Sequence, residues 1–216
     1  MKNYLICSSK NWFSNKFPYK SFKNKNFYFI SKKSQLNRKF LSKLKPEYVF
    51  FVHWSWIVPS NIIDRYHCIL FHPGPLPYGR GGSPIQNLIL KKFEYVQFNA
   101  LKMVEKLDAG PIYFRKKLSL NGSLSEILTR MRKISENLIW TIIKAKKINP
   151  IFQKGKTYYF KRRKPEDSEI LKNESLKLIF DKIRCVDGLD YPRAFLNLGN
   201  KKIEFTKANF DNNKIE

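Results

Sequence analysis

His72 opens the stretch "HPGPLPYGRGGSPIQ" (72–86), where three prolines and four glycines follow it within eleven residues. Prolines stiffen such a loop, and glycines let a ligand come close to its backbone. A neutral imidazole takes and returns a proton near neutral pH, so a histidine held on this support suits general-base work. Asp108 lies in a second turn, "KLDAGPIY" (106–113), ahead of Gly110 and Pro111. A carboxylate there can orient the imidazole and favour its protonated form. Each residue also has a plainer reading: a buried histidine satisfied by a loop carbonyl, and an aspartate that builds its own turn. Taken together, they point to an acid–base pair.

The flanking pattern says what must hold them. "NYLIC" (3–7), "FYFI" (27–30), "YVFFVHW" (48–54) and "HCILF" (67–71) read as strands, the last two as runs covered on both faces. "QLNRKFLSKLK" (35–45), "PSNIIDRY" (59–66) and "SPIQNLILKK" (83–92) read as helices between them, the last with Ser83 at its cap and Pro84 in its first turn. "VQFNALKMV" (96–104) and "IYFRKKLSL" (112–120) alternate as strands with one wetter face. Ser123 and Glu126 form a capping box for a long helix striped by Leu124, Ile127, Met131, Ile134, Leu138 and Ile142. The alternation predicts an α/β fold, a doubly wound and mostly parallel sheet, with His72 at the end of a central strand where such sheets place their crevice. Residues 1–150 form this domain. Residues 151–216 form a charged connector and a small helix–strand appendage that packs back on the sheet.

At 43% apolar residues the chain can bury a core, and its longest apolar run is about half a membrane span. No membrane span is expected, and "YLIC" is too short for a signal-peptide core, so a cytoplasmic location is the expectation. Cys7, Cys68 and Cys185 are scattered at no metal or redox spacing, so no metal is expected. The net charge of +25 implies attraction for phosphate-bearing partners. It does not specify nucleic acid, because no arginine-rich tract accompanies it, and Lys, Asn, Ile and Phe are abundant together as an AT-rich genome would make them.

"HPGPLPYGRGGSPIQ" followed by "LDAGPIY" resembles the folate-dependent formyltransferases, a family that includes methionyl-tRNA, glycinamide-ribonucleotide and sugar N-formyltransferases. The resemblance extends through "FFVHWSWIVP", "FQKGKTYYFKRRKPEDSEI" and "IRCVDGLDYPRAF", covering about residues 45–208. "HWSWIVP", "GRGGSPIQNLI" and "FKRRKPEDS" are most similar to its compact bacterial branch tied to amino-sugar pathways, pseudaminic-acid biosynthesis among them. The resemblance implies a Rossmann-like formyltransferase core in which 10-formyltetrahydrofolate, as co-substrate, gives its formyl group to the primary amine of a nucleotide-linked amino sugar.

By the same resemblance His72 is the general base and Asp108 its partner. Trp56, Ile57 and Val58 line the pterin pocket with the turn from Val104 through Leu107 to Asp108. Arg80, Gly81 and Gly82 shape the floor beneath the formyl group. Arg162 and Arg163, in "KRRK", suit the phosphates of the sugar nucleotide, although a solvated connector is the plainer account of them. An amine attacking a formamide carbon builds up a cationic nitrogen and an oxyanion, which call for a base and a hydrogen-bond donor. The family usually places asparagine two residues before the histidine as that donor. Here the position is Leu70, with Gly74 where the family favours Ser or Thr. A backbone N–H, His72 itself, Ser83, Gln86 or Asn87 are the substitutes the sequence offers. Two other readings stay open. One is a methionyl-tRNA formyltransferase, which the charge favours and the short tail opposes. The other is a catalytically weakened folate- or sugar-nucleotide-binding relative. A homodimer through the tail strand is also expected as an option.

Overall fold

The computed structural model describes residues 1–10, 13 and 25–211; the last five residues of the expected appendage lie outside them. Chain order runs β1 (Lys2–Cys7), β2 (Lys25–Ile30), α1 (Arg38–Leu44), β3 (Tyr48–Phe51), α2 (Ser60–Ile63), β4 (Cys68–Pro73), β5 (Tyr78–Gly81) and α3 (Pro84–Leu90). It continues with β6 (Tyr95–Lys102), β7 (Ile112–Ser119), α4 (Leu124–Lys144), β8 (Tyr158–Phe160), α5 (Leu176–Arg184), β9 (Ala194–Leu198) and β10 (Lys201–Phe205).

Six strands make one sheet in the order β2-β1-β3-β4-β6-β7. The first four run parallel, while β6 is antiparallel to both β4 and β7. The apolar runs of β1 and β3 explain the layering. Ile6 and Phe50 join one core with Phe98 and the inner face of α4, while Leu5, Val49 and Phe51 join another with Leu41 and Ile62. Alternate residues therefore feed opposite faces, and the sheet is covered on both sides. The order reverses at β1 and β3, so a crevice opens at the C-terminal ends of β1, β3 and β4, where His72 stands.

α4 begins as expected. The Ser123 hydroxyl accepts from the Glu126 N–H, and the Glu126 carboxylate accepts from the Ser123 N–H at 2.8 Å. Ser123 thus satisfies donors that the first turn leaves unpaired. Ser83 differs. It precedes α3 at φ +47 without capping it, and its hydroxyl instead accepts from the Arg163 N–H at 3.1 Å.

The tail is woven into the main domain. β8 pairs in parallel with β5, and the Ile151 backbone bridges Ile112. Ile170, Ile183, Cys185 and Ala194 enter the larger core. β9 and β10 form an antiparallel hairpin, of which the sequence signalled only the second strand. Arg184 pairs with Asp181 at 2.6 Å, and Asp187 holds Arg193 at 2.9 Å. Among the described residues, no helix is long and apolar enough to cross a membrane.

Candidate active site

β4 carries His72 to the crevice in register with Asn99 of β6. Asn99 is fully buried, and its amide donates to the carbonyls of His72 (3.0 Å), Gly74 (2.8 Å) and Gln97 (3.1 Å). The stiff loop is therefore tied to the sheet at its first residues. Asn99 lies on the wetter face of the β6 alternation. A polar residue on that face is ordinary, so the alternation carries no signal that singles it out.

His72 Nε2 lies 2.9 Å from the Gly79 carbonyl, and Nδ1 lies 3.4 Å from Asp108 Oδ2. Both side chains are 7% exposed. A carbonyl only accepts, so Nε2 carries a proton toward Gly79, and Nδ1 is the ring nitrogen that faces the Asp108 carboxylate. The plain loop-carbonyl bond is thus present together with the acid–base contact. Asp108 Oδ2 also accepts from the Gly81 N–H at 2.8 Å. Asp108 adopts φ +49, a conformation aspartate tolerates better than most residues. The turn closes tightly: a Cβ at Gly110 would sit 1.6 Å from the Lys102 carbonyl oxygen.

Two adjoining cavities meet at this pair. The smaller, about 100 Å³, is walled by Trp54, Trp56, Ile57, Val58, Leu70 and the turn from Met103 to Gly110, so it gathers Val104, Leu107 and Asp108 with Trp56, Ile57 and Val58. The Trp54 and Trp56 rings meet edge to face at 4.8 Å, and the buried indole N–H of Trp54 has no partner among the described residues. An apolar recess with one unclaimed donor fits a flat heterocycle. The larger cavity, about 550 Å³, is lined by His72, Gly81, Gly82, Gln86 and Asp108 together with Lys10, Arg162, Arg163 and Lys164. Leu70 borders both cavities, so an apolar side chain faces the place where the resemblance calls for a donor.

Arg80 departs from its expected place. It is buried and does not line either cavity; its guanidinium donates to Gln153 Oε1 from Nε (3.1 Å) and Nη2 (2.7 Å). Asn87 is spent on the carbonyls of Gly82, Ser83 and Lys161. Gln86 is buried and borders the larger cavity. The Arg163 guanidinium donates to the Asp167 carbonyl, and its buried Nε has no partner among the described residues. No cluster of three or more groups that could hold a metal occurs among the described residues.

His53, at φ +57 just after β3, lies with Tyr191 on the wall of the larger cavity, the hydroxyl 3.3 Å from Nε2. Burial first, then the charges of Lys10 and Arg162, push His53 down to about 4. An unfolded chain protonates this ring near its ordinary 6.5, whereas the fold keeps it neutral. Its contribution to stability is therefore fully present above pH 6.5 and is lost as pH falls from 6.5 toward 4. Thermal melts between pH 7 and 4.5 should show a shallower fall for His53→Gln than for the unaltered chain; equal slopes would remove His53 from this role.

The formyl transferase family model matches residues 5–143, and a model of the methionyl-tRNA formyltransferase C-terminal domain matches residues 165–216. A solved structure of methionyl-tRNA formyltransferase from Clostridium thermocellum is 38% identical, covering 99% of this chain and 96% of that one at TM-score 0.93. A methionyl-tRNA formyltransferase of Thermodesulfovibrio yellowstonii is 31% identical over 177 residues, 78% of this chain and 56% of that protein. A sugar N-formyltransferase from Shewanella shares the fold at TM-score 0.71 and 18% identity, covering 96% of this chain and 98% of that one. A mostly parallel sheet with a histidine–aspartate pair at its crevice defines a Rossmann-like transferase core. The chain belongs to the formyl transferase family. It spans between 55% and 61% of the length of the curated relatives it matches.

Proposed function

We propose that the protein transfers a formyl group from 10-formyltetrahydrofolate to the primary amine of a nucleotide-linked amino sugar. The observation that carries this reading is the His72–Asp108 pair lining a cavity of about 550 Å³ that is also lined by Lys10, Arg162, Arg163 and Lys164. That volume suits a small-molecule ligand, and arginine forks suit its phosphates. The donor supplies the formyl group, with its pterin against Trp54, Trp56 and the 103–110 turn. As the amine nitrogen bonds to the formyl carbon, His72 takes the amine proton at Nδ1 and Asp108 stabilises the resulting imidazolium from 3.4 Å; the bond from the formyl carbon to the folate nitrogen then breaks, and the proton passes to that nitrogen as tetrahydrofolate leaves. His72 is the base and Asp108 the residue that holds it ready.

The methionyl-tRNA reading has its own support in the 38% identity to the Clostridium thermocellum protein and in the family match over the tail. It makes the same amine chemistry serve a larger acceptor. The deciding experiment measures release of tetrahydrofolate with a panel of nucleotide-linked amino sugars and, in parallel, with initiator methionyl-tRNA, each across a salt series. Turnover with an amino sugar and flat, weak tRNA binding supports the first reading. Turnover with the tRNA and binding that falls steeply with salt replaces it by the second.

A further inference from the structure

Three consecutive residues of β5 each hold a different part of the site. The Gly79 carbonyl receives His72 Nε2 at 2.9 Å, the Gly81 N–H reaches Asp108 Oδ2 at 2.8 Å, and the Arg80 side chain between them turns the other way, to Gln153. Gln153 comes from the connector between α4 and β8, and it uses both ends of its amide. Its Oε1 accepts twice from Arg80, and its Nε2 donates to the carbonyls of Asp108 (2.8 Å) and Gly110 (2.9 Å). Because a guanidinium only donates and carbonyls only accept, the orientation of this amide is fixed. Only a side chain with an acceptor and a donor at one tip can join these partners. Glutamate would keep Arg80 but set a carboxylate against two carbonyl oxygens, and lysine would face Arg80 with like charge.

We infer that Gln153, anchored by Arg80, is a positioning residue that sets the Asp108 carboxylate against His72. The turn it grips holds Asp108 at φ +49 and brings Gly110 against the Lys102 carbonyl, so its backbone is fixed from both sides. Loosening the 108–110 carbonyls lets the carboxylate drift, while Trp54, Trp56, Ile57 and Val58, the other walls of the smaller cavity, stay in place. The kinetic consequence rests on the formyl-transfer reading; the geometric one does not.

The test uses the full chain with Gln153→Ala, Gln153→Glu, Arg80→Ala and the Arg80→Ala/Gln153→Ala double variant. The expected result for Gln153→Ala is a fall in kcat of about 10–100-fold, the scale of a small misplacement of a catalytic group, with the KM for the folate donor held within about twofold. Gln153→Glu falls as far, although it retains a partner for Arg80. The double variant is no worse than the weaker single variant, because the two side chains act as a unit. The 15N shifts of the His72 ring, read at fixed pH, move away from their unaltered values in every variant. Unchanged ring shifts, or a loss of rate matched by the loss of folded protein in thermal melts, would overturn the inference. If the unaltered protein transfers formyl to no acceptor, the functional reading fails, and the ring shifts still decide whether Gln153 positions Asp108.

Discussion

Replacing His72 by alanine is expected to lower formyl transfer by about 10²–10⁴-fold, the range a positioned base contributes, while folate binding stays near its original strength. The separation follows from the geometry. The ring lines the larger cavity but not the recess assigned to the pterin, which is walled by Trp54, Trp56, Ile57, Val58 and the 103–110 turn and which His72 meets through Asp108. The measurement pairs single-turnover kinetics with titration of a folate by intrinsic tryptophan fluorescence, which Trp54 and Trp56 make sensitive to the recess. Retained turnover would place the base elsewhere, and lost folate binding would make His72 a wall residue.

Restoring an amide at position 70 is expected to act in the opposite direction. Leu70 borders both cavities and packs with Leu76, Leu101 and Ile112. Leu70→Asn exchanges that contact for a donor facing the transferring carbonyl. One oxyanion donor is worth about 10²–10³-fold. The expected outcome is a rise in kcat toward that range, accompanied by a loss of about 1–3 kcal/mol in stability for the apolar packing given up. An unchanged kcat would show that a donor is already in place, and Gln86, a buried amide bordering the same cavity, is the first residue to replace in that case.

What the sequence made legible follows from how local each signal was. The strand–helix alternation of the first two thirds has strong periods and capped ends, and the sheet and its helices formed where those periods lay. His72 and Asp108 were legible because each sits in a Gly/Pro turn beside an apolar strand, and the pairing rules of a doubly wound sheet bring those strand ends together. Arg80 was misassigned for a physical reason. β5 is "YGRG", a strand with no apolar alternation, and its partner β8 is a three-residue run some eighty positions away. Without that pairing, the side of the loop to which the guanidinium turns cannot be read. Ser83 misled in the same way: its hydroxyl answers to Arg163 across the β5–β8 seam, not to its own helix. Gln153 left no trace at all, being one polar residue in an exposed connector whose partners, Arg80, Asp108 and Gly110, are set by tertiary folding alone.

The β5–β8 pairing has a further consequence for how such a chain can be taken apart. The Phe160 carbonyl receives the Gly82 N–H at 3.1 Å, and a Cβ at Gly82 would collide with the Arg162 backbone at 2.5 Å. Excising everything after the long helix would strip the 72–86 loop of its lateral support, even though neither His72 nor Asp108 is removed. Grafting a foreign tail to alter acceptor choice would have to join the chain beyond residue 164. Even beyond that point Ile170, Ile183, Cys185 and Ala194 pack into the larger core, so a graft would have to keep those buried positions.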